Sequence, residues 1–333
     1  MSTRTVAVAA LCAALSLMLV GGPSAQAQPA PAGFPIPGKT IRIVVPFPPG
    51  GQTDIQGRAV AAKMAQNLGQ SVVVENKPGA STIIGAQDVI KSAPDGHTLL
   101  YTIAITAAQN PHLYSKLPYD PRKDLTPVMF AARSATILVA PAAAPFNTVK
   151  EMIDYAKKNP GKLNFGSFSL GSTSHLNGEI LKRAAGIDIV HVPYKGSGEA
   201  MAALFGNQVQ LMFDGPTTAI NNSRAGKVKM LAVADTARYS VAAEVPTMAE
   251  AGVNGVDVQG GMQFFGPAGM PRPVLDRVNA ELARALRDPA IVKLFVEGGT
   301  EVVAGSADEH AASVRVQYER WGEVIRSLGL KLD

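Results

Sequence analysis

The residues of this chain with the types to hold a ligand gather where predicted strands give way to predicted helices. Pro46-Phe47-Pro48-Pro49-Gly50-Gly51-Gln52-Thr53-Asp54 is one such junction, and this is the crevice in which open α/β sheets bind ligands. Gly50 and Gly51 let the backbone approach a ligand closely, with Phe47 beside them. The unpaired N–H groups of the following helical turn attract an anion. Thr53 and Asp54 are ligand candidates, and either is equally the natural N-cap. No Gly-x-x-x-x-Gly-Lys-Ser/Thr and no Gly-x-Gly-x-x-Gly is present at this junction, which excludes a P-loop and a dinucleotide fingerprint.

A second junction has the same grammar. Phe165-Gly166-Ser167 ends a strand, and Gly171-Ser172-Thr173-Ser174-His175 opens a helix. Ser172, Thr173 and Ser174, with Ser167 behind them, make a neutral cradle for a carboxylate that needs no buried Lys or Arg. The same hydroxyls also serve as helix caps, and His175 reads as a packed first-turn residue. Thr106 follows the third strand. Tyr194-Lys195-Gly196-Ser197-Gly198 is a flexible strand-to-helix turn. Asp214 ends a further strand, where it accepts from a ligand donor, orients a water or caps the next element.

Enzyme chemistry finds little here. The five histidines never stand three or four apart, and there is no His-Glu-x-x-His, Cys-x-x-Cys or Gly-x-Ser-x-Gly. No metal, cofactor or catalytic residue is expected.

The elements that must position these residues follow a strand–helix–strand rhythm, which makes the chain an α/β protein. Strands are predicted at Ile41–Val45, Ser71–Val74 and Thr98–Ile103, with a helix over Thr53–Leu68 that aligns Val60, Met64 and Leu68. A second block begins near Leu138, with strands at Leu163–Gly166, Ile189–Val192, Val209–Phe213 and Met230–Ala234. Capping boxes stand at Thr148–Glu151, Thr247–Glu250 and Ser306–Glu309. The last opens a helix whose stripe of Val314, Tyr318, Trp321, Ile325 and Leu328 is core. No low-complexity linker separates the blocks. Two extended crossings, Pro127–Pro141 and Val256–Pro267, are expected to form a hinge. The expected lobes are residues 28–137 with 259–333, and residues 138–258.

The first 27 residues set the compartment. Arg4, an apolar run from Val6 to Val20 and Ala25-Gln26-Ala27 have the order of a secretory signal peptide cleaved after Ala27. Removing 27 of the 333 residues leaves 306, takes away Cys12, the only cysteine, and lowers the formal charge from +5 to +4 with the loss of Arg4. The mature chain must therefore hold its fold without disulfides. Its mild basic excess forms no run, so nucleic acid is not an expected partner.

Six blocks carry a resemblance. Pro46-Phe47-Pro48-Pro49-Gly50-Gly51, Val73-Val74-Glu75-Asn76-Lys77-Pro78-Gly79-Ala80, Pro94-Asp95-Gly96-His97, Leu117-Pro118-Tyr119-Asp120-Pro121, His191-Val192-Pro193-Tyr194-Lys195-Gly196 and Val245-Pro246-Thr247-Met248-Ala249-Glu250-Ala251-Gly252 occur in order along the chain. So ordered, the sequence resembles the substrate-binding receptors of tripartite tricarboxylate transporters, the Bug family. The resemblance implies a periplasmic, monomeric, two-lobed binding protein of the type II fold with mixed sheets. It further implies capture of a small carboxylate without metal, for a membrane permease, between the loop Phe47–Asp54 and the turn Ser172–Ser174. A receptor that signals to a membrane sensor kinase would use the same closure. Two departures stand out: Ser81 and Thr82 replace a glycine pair, and Gln259-Gly260-Gly261-Met262-Gln263 replaces a Trp-x-Gly. The second departure suggests room for a bulkier ligand, such as an aromatic dicarboxylate.

Overall fold

The computed structural model describes residues 33–257 and 260–333; the expected signal peptide lies outside them. Short apolar runs, alternately strand and helix, build two mixed sheets. The first has the order β11-β4-β10-β3-β1-β2. Its strands are β1 (Ile41–Val45), β2 (Val72–Asn76), β3 (Thr98–Thr102), β4 (Leu125–Ser134), β10 (Gly260–Pro267) and β11 (Glu301–Val302). The second, β7-β6-β8-β5-β9, is made of β5 (Ile137–Pro141), β6 (Leu163–Ser167), β7 (Ile189–Pro193), β8 (Leu211–Asp214) and β9 (Val228–Val233). The two-lobed α/β fold expected from the sequence is what forms.

Each sheet has a parallel part and an antiparallel part, and the site depends on both. β1 runs parallel to β2 and β3, and β6 runs parallel to β7 and β8. Every one of these parallel strands is followed by a helix or helical turn, so helix starts collect at the strands' C-terminal ends. These helices are α1 (Gln52–Leu68), α2 (Ile83–Ile90), α6 (Thr173–Ala185), α7 (Ser197–Phe205) and α8 (Pro216–Arg224). Short α3 (Asn110–Leu113) and α4 (Pro121–Asp124) and α5 (Val149–Lys158) fill the connections. After the return strand β10 come α9 (Arg272–Leu286), α10 (Pro289–Glu297) and α11 (Ala307–Leu328). The antiparallel part carries the chain between sheets. β4 leads through Ala135 and Thr136 directly into β5, and β10 pairs with β4 from Gly260↔Ser134 to Pro267↔Leu125.

The predicted stripes are core. Val60, Met64, Val278, Leu282, Trp321 and Ile325 are all buried. Ser306 and Glu309 form the reciprocal box that opens α11. The box at Thr247 and Glu250 also closes in both directions, at 3.1 and 2.8 Å. It caps only a single turn, because Gly252 takes φ +87° and bends the chain away. At Thr148 the box is half made: Thr148 accepts from the Glu151 amide, while the Glu151 carboxylate takes the Asn147 amide. One element escapes the apolar pattern altogether. Ile105–Gln109 is a π-helical turn after β3, a form found mostly at functional sites.

Candidate functional site

A cavity of about 60 Å3 lies between the two sheets. At about 15 Å3 per water it holds a handful of waters or one small organic molecule. The β1–α1 loop supplies Phe47, Pro48 and Gly51, the first turn of α1 supplies Gln52 and Thr53, and the end of β4 with the link to β5 supplies Ser134, Ala135 and Thr136. From the second sheet come Phe168, Thr173, Ser197 and Asp214–Pro216; Gly260, Gly261 and Met262 of β10 close the floor. Phe47 and Phe168 meet edge to face at 6.4 Å, so one wall is aromatic. Thr53 Oγ1 lies 3.9 Å from the Met262 sulfur. Met262 belongs to the segment in which the resemblance leads one to expect a Trp-x-Gly, and it lines the cavity.

Four helix starts converge here: α1, α6, α7 and α8. Three begin at a glycine, Gly51, Gly196 and Gly215, with no side chain capping the first turn. A Ser, Thr, Asp or Asn would satisfy one of the orphan amides; glycine leaves them open. In α1 the first-turn amides therefore face the cavity with the positive end of the helix behind them. In α8 the Thr217 amide is spent instead on Gln52 Oε1, at 3.4 Å, across from the other sheet. Among the described residues, no Lys, Arg or His lines the cavity.

The predicted site residues divide into two groups. Phe47, Gly51, Thr53, Thr173 and Asp214 line the cavity. Gly50 does not; its φ of +86° requires glycine, and its amide donates to Asp54 at 2.9 Å. Asp54 turns away from the cavity and ties the loop together, accepting also from Arg58 Nε and Asn76 Nδ2, each at 2.9 Å. Burial opposes its charge, but these donors outweigh the burial and hold its pKa below the usual carboxylate value. Thr106 is fully buried between Thr102 and Thr82, at 2.7 and 2.9 Å, supporting the π turn behind the site. Ser172 caps α6, donating to the Ser169 carbonyl at 2.6 Å and accepting from the His175 amide. Ser174 is fully buried behind that cap, away from the cavity lining.

Ser167 sits 2.7 Å from His191 Nε2, the beginnings of a nucleophile pair. Its hydroxyl hydrogen goes to the Ser169 carbonyl at 3.1 Å, so the imidazole donates to Ser167 rather than accepting from it. Ser167 is also fully buried. Burial pushes the pKa of His191 down to about 3 and that of the stacked His175 to about 4. Among the described residues, no group of three or more His, Cys, Asp and Glu has the geometry to hold a metal ion.

Sequence reasoning missed Gln52, Ser134, Thr136, Ser197 and Met262. Ser197 carried the strand-end signal and lay in a turn already singled out. Ser134 and Thr136 lay within the predicted crossing, but nothing in their local sequence marks them as facing a ligand.

Residues 57–330 match the tripartite tricarboxylate transporter family receptor. A Pseudomonas sp. (strain P51) protein from the tcbD–tcbE intergenic region is 37% identical over 290 residues, 87% of this chain and 86% of its own length. Among solved structures, R. palustris Rpa4515 with adipate superposes with a TM-score of 0.86 at 33% identity, covering 89% of this chain and 99% of its own. MatC from Rhodopseudomonas palustris with bound malate gives 0.82 at 34%, covering 87% and 100%. The periplasmic binding protein BugD gives 0.85 at 34%, covering 89% of this chain and 99% of its own. The chain belongs to the tripartite tricarboxylate transporter receptor family.

Proposed function

We propose that this receptor captures a small dicarboxylate in the periplasm and delivers it to the membrane permease of a tripartite tricarboxylate transporter. The observation that carries this reading is the convergence of helix starts from both sheets, the uncapped first turn of α1 and Thr173 at the start of α6, on a cavity that has no cationic side chain among the described residues. Such a site holds carboxylates by amides and hydroxyls and releases them readily, because no buried charge is left unpaired afterwards. Malate and adipate in the related structures support the ligand class. The cavity's volume, with Met262 on its floor, favours a short aliphatic diacid over an aromatic one. Cleavage after Ala27 would release a monomeric receptor. Its lobes, residues 28–137 with 259–333 and residues 138–258, would swing about the paired crossings.

Calorimetry and thermal shift with a panel of mono-, di- and aromatic carboxylates test the reading. A bound diacid should stabilise the protein by about 2.7 kcal/mol at one hundred times Kd. Stabilisation by sugars or amines, with none by any carboxylate, would overturn it.

A further inference from the structure

Resting on that reading of the cavity, we propose that Asp214 selects among carboxylates, favouring those that carry a hydrogen-bond donor, a hydroxyl or an ammonium, over plain acids of the same length. Among the described residues, Asp214 is the one ionisable side chain on the cavity wall, and it is fully buried. An anion is an unexpected lining for a site that takes anions, so its placement needs a reason.

The hydrogen bonds around it supply one. Ser197 donates to Oδ1 at 2.8 Å, Thr218 donates to Oδ2, and the Gly215 amide donates as well. A carboxylate has about four acceptor positions; three are spent, and one is left without a protein donor on a residue of the cavity wall. Three donors also mark the ionised form. Burial lifts the pKa to about 6 against these donors, which leaves Asp214 charged at neutral pH. Its charge neutralises the starts of α7 and α8, the helices that carry Ser197 and Thr218. The open field for a ligand carboxylate is then that of α1 and, across the cavity, Thr173 of α6. A ligand laid between these two passes Asp214 with its backbone carbons. A plain methylene there leaves the last acceptor position desolvated and unmet, which is costly. A hydroxyl or ammonium meets it with a charge-assisted bond.

The test measures Kd for length-matched pairs, succinate against malate and aspartate, and glutarate against 2-hydroxyglutarate, on wild-type protein and on Asp214→Asn. The amide oxygen still accepts from Ser197 or Thr218, and circular dichroism reports the fold. Wild type should prefer the donor-bearing member about tenfold or more, and the variant should lose most of that ratio. A second measurement needs no variant: 2-methoxysuccinate, which lacks the donor, should bind wild type no better than succinate. Ratios unchanged by Asp214→Asn, with both members weakened equally, would show that Asp214 only ties α7 to α8. Wild type that binds diacids without preferring the donor-bearing member, or binds methoxysuccinate as tightly as malate, would also overturn the proposal while leaving the dicarboxylate reading intact. Failure of every carboxylate to bind would instead overturn that reading itself.

Discussion

Ser172 and Thr173 are neighbours in sequence with opposite assignments in space, and the pair shows what one residue of helix geometry decides. Ser172 spends its hydroxyl on the Ser169 carbonyl and caps α6. Thr173, one position on, faces the cavity and accepts from Gln109 Nε2 at 3.0 Å, so its own hydroxyl hydrogen remains for a ligand. Thr173→Val should therefore weaken carboxylate binding about tenfold or more, the cost of one hydrogen bond to a charged group of about 1.5–3 kcal/mol, with little change in apo stability. Ser172→Ala should do the reverse, costing about 1 kcal/mol of stability as a lost N-cap. Calorimetry and chemical denaturation of both variants check the contrast; equal loss of affinity would return Ser172 to the ligand. The sequence makes the hydroxyl cluster legible, because Ser and Thr at a helix start have few other uses. It does not tell a cap from a ligand donor, since both need the same atom, and only the direction of the side chain separates them. Asp54 illustrates the same ambiguity: Arg58 and Asn76, which claim its carboxylate, are 4 and 22 residues away, and the second is invisible to local reading.

At the scale of elements, the junctions between strands and helices were readable from Gly, Pro and hydroxyl residues, while the contacts across the cavity were not. Those contacts are tight because glycine stands on one side of them. A Cβ on Gly196 would meet the Pro48 ring at 2.8 Å, and one on Gly215 would meet Gln52 Oε1 at 2.2 Å. Gly196 has an extended backbone, φ −174°, that alanine adopts without strain. Gly196→Ala should thus fold normally yet hold the α7 start away from the β1–α1 loop. The expected result is a several-fold weaker Kd, since only the fraction of molecules that closes can bind, and a larger radius of gyration with ligand by small-angle scattering. Unchanged affinity would mean that the two faces need not meet. The loop before α2 makes a separate prediction. Ala80, Ser81 and Thr82 all take positive φ, at 45°, 50° and 75°, a region that costs an L-residue about 1–2 kcal/mol. Ser81 is held there by donating to the Leu170 carbonyl and by Asn110, and Thr82 by Thr106. Ala80 lacks such a side-chain tie, so Ala80→Gly should stabilise the protein by about 0.5–1 kcal/mol, after allowing for the entropy glycine adds to the unfolded chain. A lower denaturation midpoint would count against strain in this loop.

For the whole molecule, the histidines link stability to the acidity of the surroundings. Burial lowers the pKa of His175 to about 4, of His191 to about 3 and of His310 to about 3, against an unfolded value near 6.5. His175 Nδ1 accepts from the Gly171 amide at 3.1 Å, a bond that the protonated ring cannot keep. As pH falls below about 6.5, the unfolded chain takes up protons that the folded chain refuses. Stability should then fall with pH by up to about 1.4 kcal/mol per unit for each histidine, and level off only near pH 4 to 3. Asp214 acts the other way over part of this window. Its raised pKa, about 6, means that between about pH 6 and 4 the folded state binds a proton that the unfolded carboxylate does not, which offsets roughly one histidine. The carboxylates held low by basic partners, Asp54, Asp88 and Asp95, add their own loss as pH falls through the ordinary carboxylate range. Urea midpoints between pH 7.5 and 4.5 should therefore decline steadily, and more steeply below about pH 6, where the unfolded histidines are fully protonated, Asp214 offsets only one of them and the carboxylates begin to add their share. His310→Gln, buried against Phe265 on the far side of the first sheet, should shallow that slope by about one proton without touching ligand affinity. Midpoints that stay level from pH 7.5 to 5 would show that these imidazoles are not held neutral by the fold.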